Sequence, residues 1–271
     1  MPKIAVAQMT SGNNLVANFT QMRTLAGEAK KQGAELIAFP EMAYFVGKAK
    51  EWGPLLEKYD AFLEQLQKIA KEFSIHLVPG TLREPVKTTP ERYFNTCLFI
   101  DNRGRIRAKY RKIFLYRASL PDQTYDEPKY CDPGSAVTTL ELDGTVYGFA
   151  ICFDLRFPEL FRALRKRGAE IVFLPSAFTV PTGQAHWEPL LRARAIENQF
   201  FIVAPGQVGT LGDGNSTFGG STIISPWGEE MAFVPPEPGI AIADLNTAAI
   251  QNAASKVNAW ESRREDIFPV A

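Results

Sequence analysis

The chain has 271 residues, 45% hydrophobic and 22% charged, close to the average for soluble globular domains. Thirty basic residues balance thirty acidic ones, so no net field favours nucleic acid or an anionic membrane. Composition also excludes disorder, collagen and a disulfide scaffold, and the length suffices to bury most apolar surface without staples. Met1-Pro2-Lys3-Ile4-Ala5-Val6-Ala7-Gln8 is too short an apolar run for a signal peptide. No stretch approaches the roughly 18 apolar residues of a membrane span. Three cysteines cannot all pair, and such sparse, odd usage suits a reducing compartment. We therefore expect a cytoplasmic protein.

In chain order, Lys3 to Met9 reads as a short apolar strand. Residues 13 to 32 follow with Leu15, Phe19, Met22, Leu25, Ala26 and Ala29 at helical spacing, Asn13 or Asn14 as cap and Gly33 as stop. Glu35 to Phe39 is a buried strand ended by Pro40. A second helix is expected over Tyr59 to Phe73, with Phe62, Leu63, Leu66, Ile69 and Ala70 on one face, then a strand over Ile75 to Pro79. The alternation of strand and helix predicts α/β architecture with helices outside a sheet.

The middle changes character. Phe94 to Asp101 and Arg105 to Lys109 flank the turn Asp101-Asn102-Arg103-Gly104, and Val137 to Leu142 and Thr145 to Ile151 flank Asp143-Gly144. Both pairs read as hairpins. Helices are expected at Pro158 to Arg167 and Ala185 to Gln199. Further strands are expected at Glu170 to Leu174, Phe200 to Ala204, Gly219 to Ser225 and Gly239 to Leu245. Lys112 to Ala136 and Val208 to Thr217 resist assignment, and loops of that length in a compact domain are usually functional. With no linker, repeat or low-complexity segment visible, one domain over residues 1–271 is expected.

Cys152 lies between the apolar strand ending at Ile151 and a helix start at Pro158. Nucleophiles are commonly presented there, because free backbone N–H groups can bind an oxyanion. A buried cysteine packed as a small hydrophobe fits the position equally well. Glu41 follows the strand end Phe39-Pro40 and could be a general base in a partly desolvated cleft, or a solvated loop residue. Lys112 ends the basic run Lys109-Tyr110-Arg111-Lys112 at the mouth of the long loop; such a run is ordinarily a solvated face. His76 reads as a core residue, and His186 as a packing or capping residue at a helix start. No His/Cys/Asp cluster has metal-ligand spacing, and no phosphate-cradling or dinucleotide glycine motif occurs. We expect neither metal nor cofactor, so the chemistry must come from side chains.

Phe39-Pro40-Glu41, Lys109-Tyr110-Arg111-Lys112 and Ile151-Cys152-Phe153-Asp154-Leu155-Arg156-Phe157-Pro158-Glu159 resemble the three signature segments of the nitrilase, or carbon–nitrogen hydrolase, superfamily. They occur in that family's order, and the likeness runs from Ile4 to about Asp266. The resemblance implies a four-layer α-β-β-α sandwich that pairs into an eight-layer homodimer, with Glu41, Lys112 and Cys152 as catalytic triad. Glu127 aligns with a second glutamate of the family's long loop. The expected partners are a small amide substrate and water, besides a second copy of the chain, and neither nucleic acid nor membrane.

Ser176-Ala177-Phe178 and the run from Thr182 to Asn198 are similar to Nit-type amidases, and within them to deaminated glutathione amidases. Phe153-Asp154 stands where true nitrilases usually have Trp-Glu. The implied reaction is hydrolysis of a small carboxylate-bearing amide through a thioester on Cys152, with Phe153 and Phe178 lining the substrate site. An ω-amidase, an N-carbamoyl hydrolase, a nitrilase and a silent binding protein on this fold are the alternatives. Where relatives commonly carry His-Leu-Phe-Asp, this chain has Phe114-Leu115-Tyr116-Arg117. An anionic substrate needs a cation in its pocket, and Arg117, Arg192 and Arg194 are the expected candidates.

Overall fold

The computed structural model describes residues 2–120 and 123–269, and two β-sheets stacked face to face form its centre. The first has seven strands. Six run in the order Gly239–Asp244, Lys3–Gln8, Leu36–Ala38, His76–Val78, Tyr93–Ile100 and Thr81–Pro85, and Ile106–Arg111 also pairs with Tyr93–Ile100. The second has six, ordered Glu230–Phe233, Thr222–Ile224, Phe201–Ala204, Ile171–Phe173, Thr145–Phe149 and Thr139–Leu142. Each sheet has three adjacent parallel strands. Parallel strands buried on both faces read as continuous apolar runs.

Period-two alternation sorts those runs. Ile4, Val6, Leu36, Ala38 and Phe99 belong to the core between the sheets, whereas Ala5, Ala7, Ile37, Leu77 and Leu98 face a separate core. In that second core lie Met22, Leu25, Ala26 and Ala29 of helix Leu15–Lys31, and Phe62, Leu66, Ile69 and Ala70 of helix Tyr59–Phe73. Asn14 caps the first helix by accepting from the Ala17 N–H at 3.1 Å. The second sheet is covered by helices Pro158–Lys166 and Val180–Asn198, through Leu160, Phe161, Leu164, Leu191 and Ala195. The layers are therefore helix, sheet, sheet, helix. Between the sheets the Phe99 ring lies 5.5 Å from Tyr147 and 6.4 Å from Phe173.

Several elements differ from expectation. The helix expected from Ala185 begins at Val180, because Pro181 suits a first turn, and it tolerates Pro189 inside. The strand expected from Gly219 starts at Thr222, since Gly219 and Gly220 both take positive φ. The unassigned segments hold two small hairpins: Arg117–Leu120 with Gln123–Asp126, and Val208–Thr210 with Ser216–Phe218. Strands Thr81–Pro85 and Glu230–Phe233 and helix Ala248–Lys256 were not expected at all. Among the described residues no helix is long and apolar enough to cross a membrane.

Phe99 is fully buried at the centre of the inter-sheet core. Truncation leaves a cavity the sheets cannot close, so Phe99→Ala should lower unfolding free energy by about 3–5 kcal/mol. Urea denaturation checks this; a loss below about 1 kcal/mol would contradict the packing described.

Candidate active site

Three strand ends converge on one cavity. Glu41 follows Leu36–Ala38, Lys112 follows Ile106–Arg111, and Cys152 follows Thr145–Phe149 of the other sheet. The backbone is crowded at two of these exits. A Cβ on Gly80, whose φ is +76°, would lie 1.7 Å from the Pro40 carbonyl oxygen, so only glycine lets the chain bearing Glu41 approach. A Cβ on Gly134 would lie 2.1 Å from the Arg111 carbonyl, and the Gly134 N–H donates to Lys112 O at 2.7 Å.

Cys152 opens a 3₁₀ turn, Cys152–Arg156, and sits at φ +46°, a left-handed conformation costly for a residue with a Cβ. Asp154 holds the turn. It is fully buried, and its carboxylate accepts from the Ile151 N–H at 2.8 Å, the Tyr110 hydroxyl at 2.7 Å and the Phe114 N–H at 3.0 Å. Burial outweighs these donors and pushes its pKa up to about 6. The Phe153 N–H lies in the first turn, where no intrahelical acceptor exists.

The side chains meet as follows. The Lys112 ammonium donates to Glu127 Oε2 at 2.8 Å and to Glu41 Oε1 at 3.3 Å. Asn95 Nδ2 bridges the same carboxylates, donating to Glu41 Oε1 at 2.8 Å and Glu127 Oε1 at 3.2 Å. Glu127 Oε2 also accepts from the Tyr116 N–H at 2.7 Å. Gln207, from beyond the second sheet, donates to the Glu41 carbonyl at 3.0 Å. The Cys152 thiol shares the cavity wall with Glu41, Lys112 and Ala177.

Burial sets the electrostatics. It pushes the Cys152 thiol well above its ordinary range, Glu41 adds to the rise, and Lys112 opposes it. The thiol is therefore protonated at rest and needs a base. For Lys112 burial disfavours the charge, but Glu127 and Glu41 outweigh it and hold the ammonium well above the usual lysine range. Burial also raises Cys97 and Cys131, the latter to about 12, and neither lines the cavity.

The cavity holds about 470 Å³ and has Glu41, Lys112, Glu127 and Cys152 in its wall. Phe153 and Phe178 border a side recess of about 20 Å³ next to Cys152. Arg117, expected at the substrate, is outside this cavity: its side chain is 72% exposed and pairs with Asp126 on its own hairpin. Arg192 pairs with Glu188, and Arg194 is held by Glu197 and the Leu155 carbonyl, so neither reaches the site. His186 contacts Arg156, and His76 accepts from the Asn102 N–H. Among the described residues no group of three or more His, Cys, Asp and Glu is placed to hold a metal. Sequence reasoning missed Asn95, Arg83 and Tyr116. Asn95 had a signal, a polar side chain inside the buried strand Tyr93–Ile100.

This arrangement coincides with clear kinship. Residues 3–255 match the family model described as carbon-nitrogen hydrolase. The chain belongs to that family and is a carbon–nitrogen hydrolase. It is 35% identical over 270 residues to a protein of Synechocystis sp. named deaminated glutathione amidase, covering 97% of this chain and 98% of that one. The crystal structure of the C. elegans NitFhit protein superposes with a TM-score of 0.94 at 33% identity, covering 99% of this chain and 66% of that longer one. An amidase from Nesterenkonia sp. AN1, captured after Michael addition of acrylamide at its active-site cysteine, has a TM-score of 0.80 at 28% identity. That alignment covers 95% of this chain and 98% of the other.

The effect of Glu41 on the Cys152 thiol has a measurable sign. A neighbouring carboxylate disfavours the thiolate, so Glu41→Gln should leave Lys112 less opposed and lower the thiol pKa. The pH profile of Cys152 alkylation by iodoacetamide, followed by mass spectrometry, should shift to lower pH in that variant. A profile that stays put or moves upward would show that the two groups do not interact.

Proposed function

We propose that Cys152 is the nucleophile of an amidase, Glu41 its general base and Lys112 its oxyanion partner. The observation carrying this reading is a buried thiol that shares one cavity wall with Lys112 and with the carboxylate Lys112 touches. Glu41 takes the thiol proton as the sulfur attacks the amide carbon, forming a C–S bond and a tetrahedral oxyanion. The Lys112 ammonium and the Phe153 N–H stabilise that oxyanion in a site largely shielded from water. Collapse breaks the C–N bond, and Glu41 passes its proton to the departing nitrogen. Water, deprotonated by Glu41, then adds to the thioester; the second collapse frees the carboxylic acid and returns the thiol. Glu127 keeps Lys112 in place and charged.

The proposed substrate is a small carboxylate-bearing amide, deaminated glutathione first. Likeness to the Synechocystis amidase supports this choice, as does a cavity within the roughly 300–1,000 Å³ range of small-molecule sites. We also propose a cytoplasmic homodimer. Three free thiols favour a reducing compartment. Exposed Ile196, Trp227, Met231 and Phe233 favour an apolar contact between copies, which light scattering would test.

Cys152→Ala should abolish turnover with the unfolding midpoint little changed, and Lys112→Met should cost about 10²–10³-fold in kcat. Comparable activity in either variant and the parent would sink the assignment. Substrate class is tested by kcat/KM across deaminated glutathione, α-ketoglutaramate, an N-carbamoyl amino acid and a simple nitrile. If either of the last two wins by more than about tenfold, roughly 1.4 kcal/mol, the substrate reading is wrong although the triad stands.

A further inference from the structure

The catalytic cavity contains a second buried cation, and no acid balances it. Arg83 lies on strand Thr81–Pro85 opposite Asn95 of the neighbouring antiparallel strand. Partners directly across such a pair point to the same face, and Asn95 reaches Glu41 and Glu127. The next residue, Glu84, turns to the other face, where it pairs with Lys109 and Arg111. The strand's own carboxylate therefore cannot neutralise the arginine.

The Arg83 residue is 6% exposed. Its guanidinium stacks 4.4 Å from the Trp52 ring and 5.5 Å from the Tyr93 ring. Its polar contacts are neutral: the Tyr44 hydroxyl and the Phe45 carbonyl, both at 3.4 Å. Nε has no partner. Among the described residues no carboxylate lies within ion-pair distance, whereas Arg194, the other buried arginine, is paired with Glu197. The acids that share the cavity are engaged elsewhere: Glu41 and Glu127 on Lys112, Asp126 on Arg117, and Asp213 on Asn215.

A buried charge is ordinarily paired, because desolvation penalises it heavily when it is not. The aromatic walls offset part of that penalty. A planar guanidinium in the cavity wall with no acid partner can receive a carboxylate through charge-assisted hydrogen bonds. We propose that Arg83 is a specificity-determining residue that receives the remote carboxylate of the substrate while the scissile carbonyl lies at Cys152. The inference rests on the amidase reading and supplies the cation that Arg117, Arg192 and Arg194 do not.

The test compares kcat/KM for succinamate and glutaramate with that for their methyl esters, which keep the amide and lose only the charge. The parent should favour each acid over its ester. In Arg83→Met the acid-to-ester ratio should fall about 10²–10³-fold, and Arg83→Lys, which keeps a charge without the fork, should recover part of it. A merely structural role would lower both arms together and leave the ratio unmoved; that result in Arg83→Met overturns the proposal. Should Arg83→Met not fold, an unmoved ratio in Arg83→Lys does the same. Equal turnover of acids and esters by the parent also overturns it while leaving the amidase reading intact. No turnover of either set overturns the proposal, and no turnover of deaminated glutathione as well, with Cys152 intact, removes the amidase reading too.

Discussion

Lys112 is 2% exposed, and an ammonium so placed is tolerable only if opposite charge and hydrogen bonds replace its lost hydration. Glu127 and Glu41 provide both, and the rest of the site is arranged around keeping two carboxylates close to one cation. Asn95 donates to each of them, which reduces their mutual repulsion. The Tyr116 N–H adds a further donor to Glu127, which holds Lys112 at the shorter distance. Glu41, at the longer distance from Lys112, is the one that raises the thiol pKa. The two glutamates are chemically identical, and their surroundings separate their roles.

This electrostatic cluster constrains the fold. Glu41, Lys112 and Asn95 come from the first sheet, and Cys152 from the second, so the sheets must hold a fixed mutual position. The inter-sheet aromatic packing around Phe99 supplies that rigidity at close-packed density. Gln207 adds a polar tie by bonding both the Glu41 carbonyl and the Ser11 hydroxyl. The left-handed backbone at Cys152 is a strained point, of order 1–3 kcal/mol, and Met42 beside Glu41 takes the same conformation. Three donors converging on Asp154 keep Cys152 from relaxing.

The cavity is asymmetric. One end gathers Glu41, Glu127 and Lys112 about Cys152; elsewhere its wall sets Arg83 between aromatic rings with only neutral hydrogen-bond partners. The first region suits proton transfer and the stabilisation of transient charge. The second suits recognition of a permanent charge, since an always-ionised guanidinium neither gives nor takes a proton at neutral pH.

The sequence by itself determined the core elements and pointed to Glu41, Lys112 and Cys152, which the fold brings to one cavity, while the four layers were legible only through family likeness. Periodicity of 2.0 and 3.6 is a local property, so the core strands and the helices over residues 15–31, 59–73 and 158–166 were legible from spacing alone. Glu41 and Cys152 were legible because each follows an apolar strand, whereas Lys112, in a basic run that reads as a solvated face, was legible only through its recognisable segment. Glu127 could be reached only through family likeness, since its loop carries no periodic signal. Tertiary structure alone decided which charges share a cavity. Arg83 was hidden because its strand is short and ends in Arg-Glu-Pro, which spacing reads as a loop. Arg117 was misjudged because its position in the long loop says nothing of the direction its hairpin takes. Burial and pairing are long-range relations between side chains distant in sequence, and no local pattern encodes the depth at which a given arginine comes to rest.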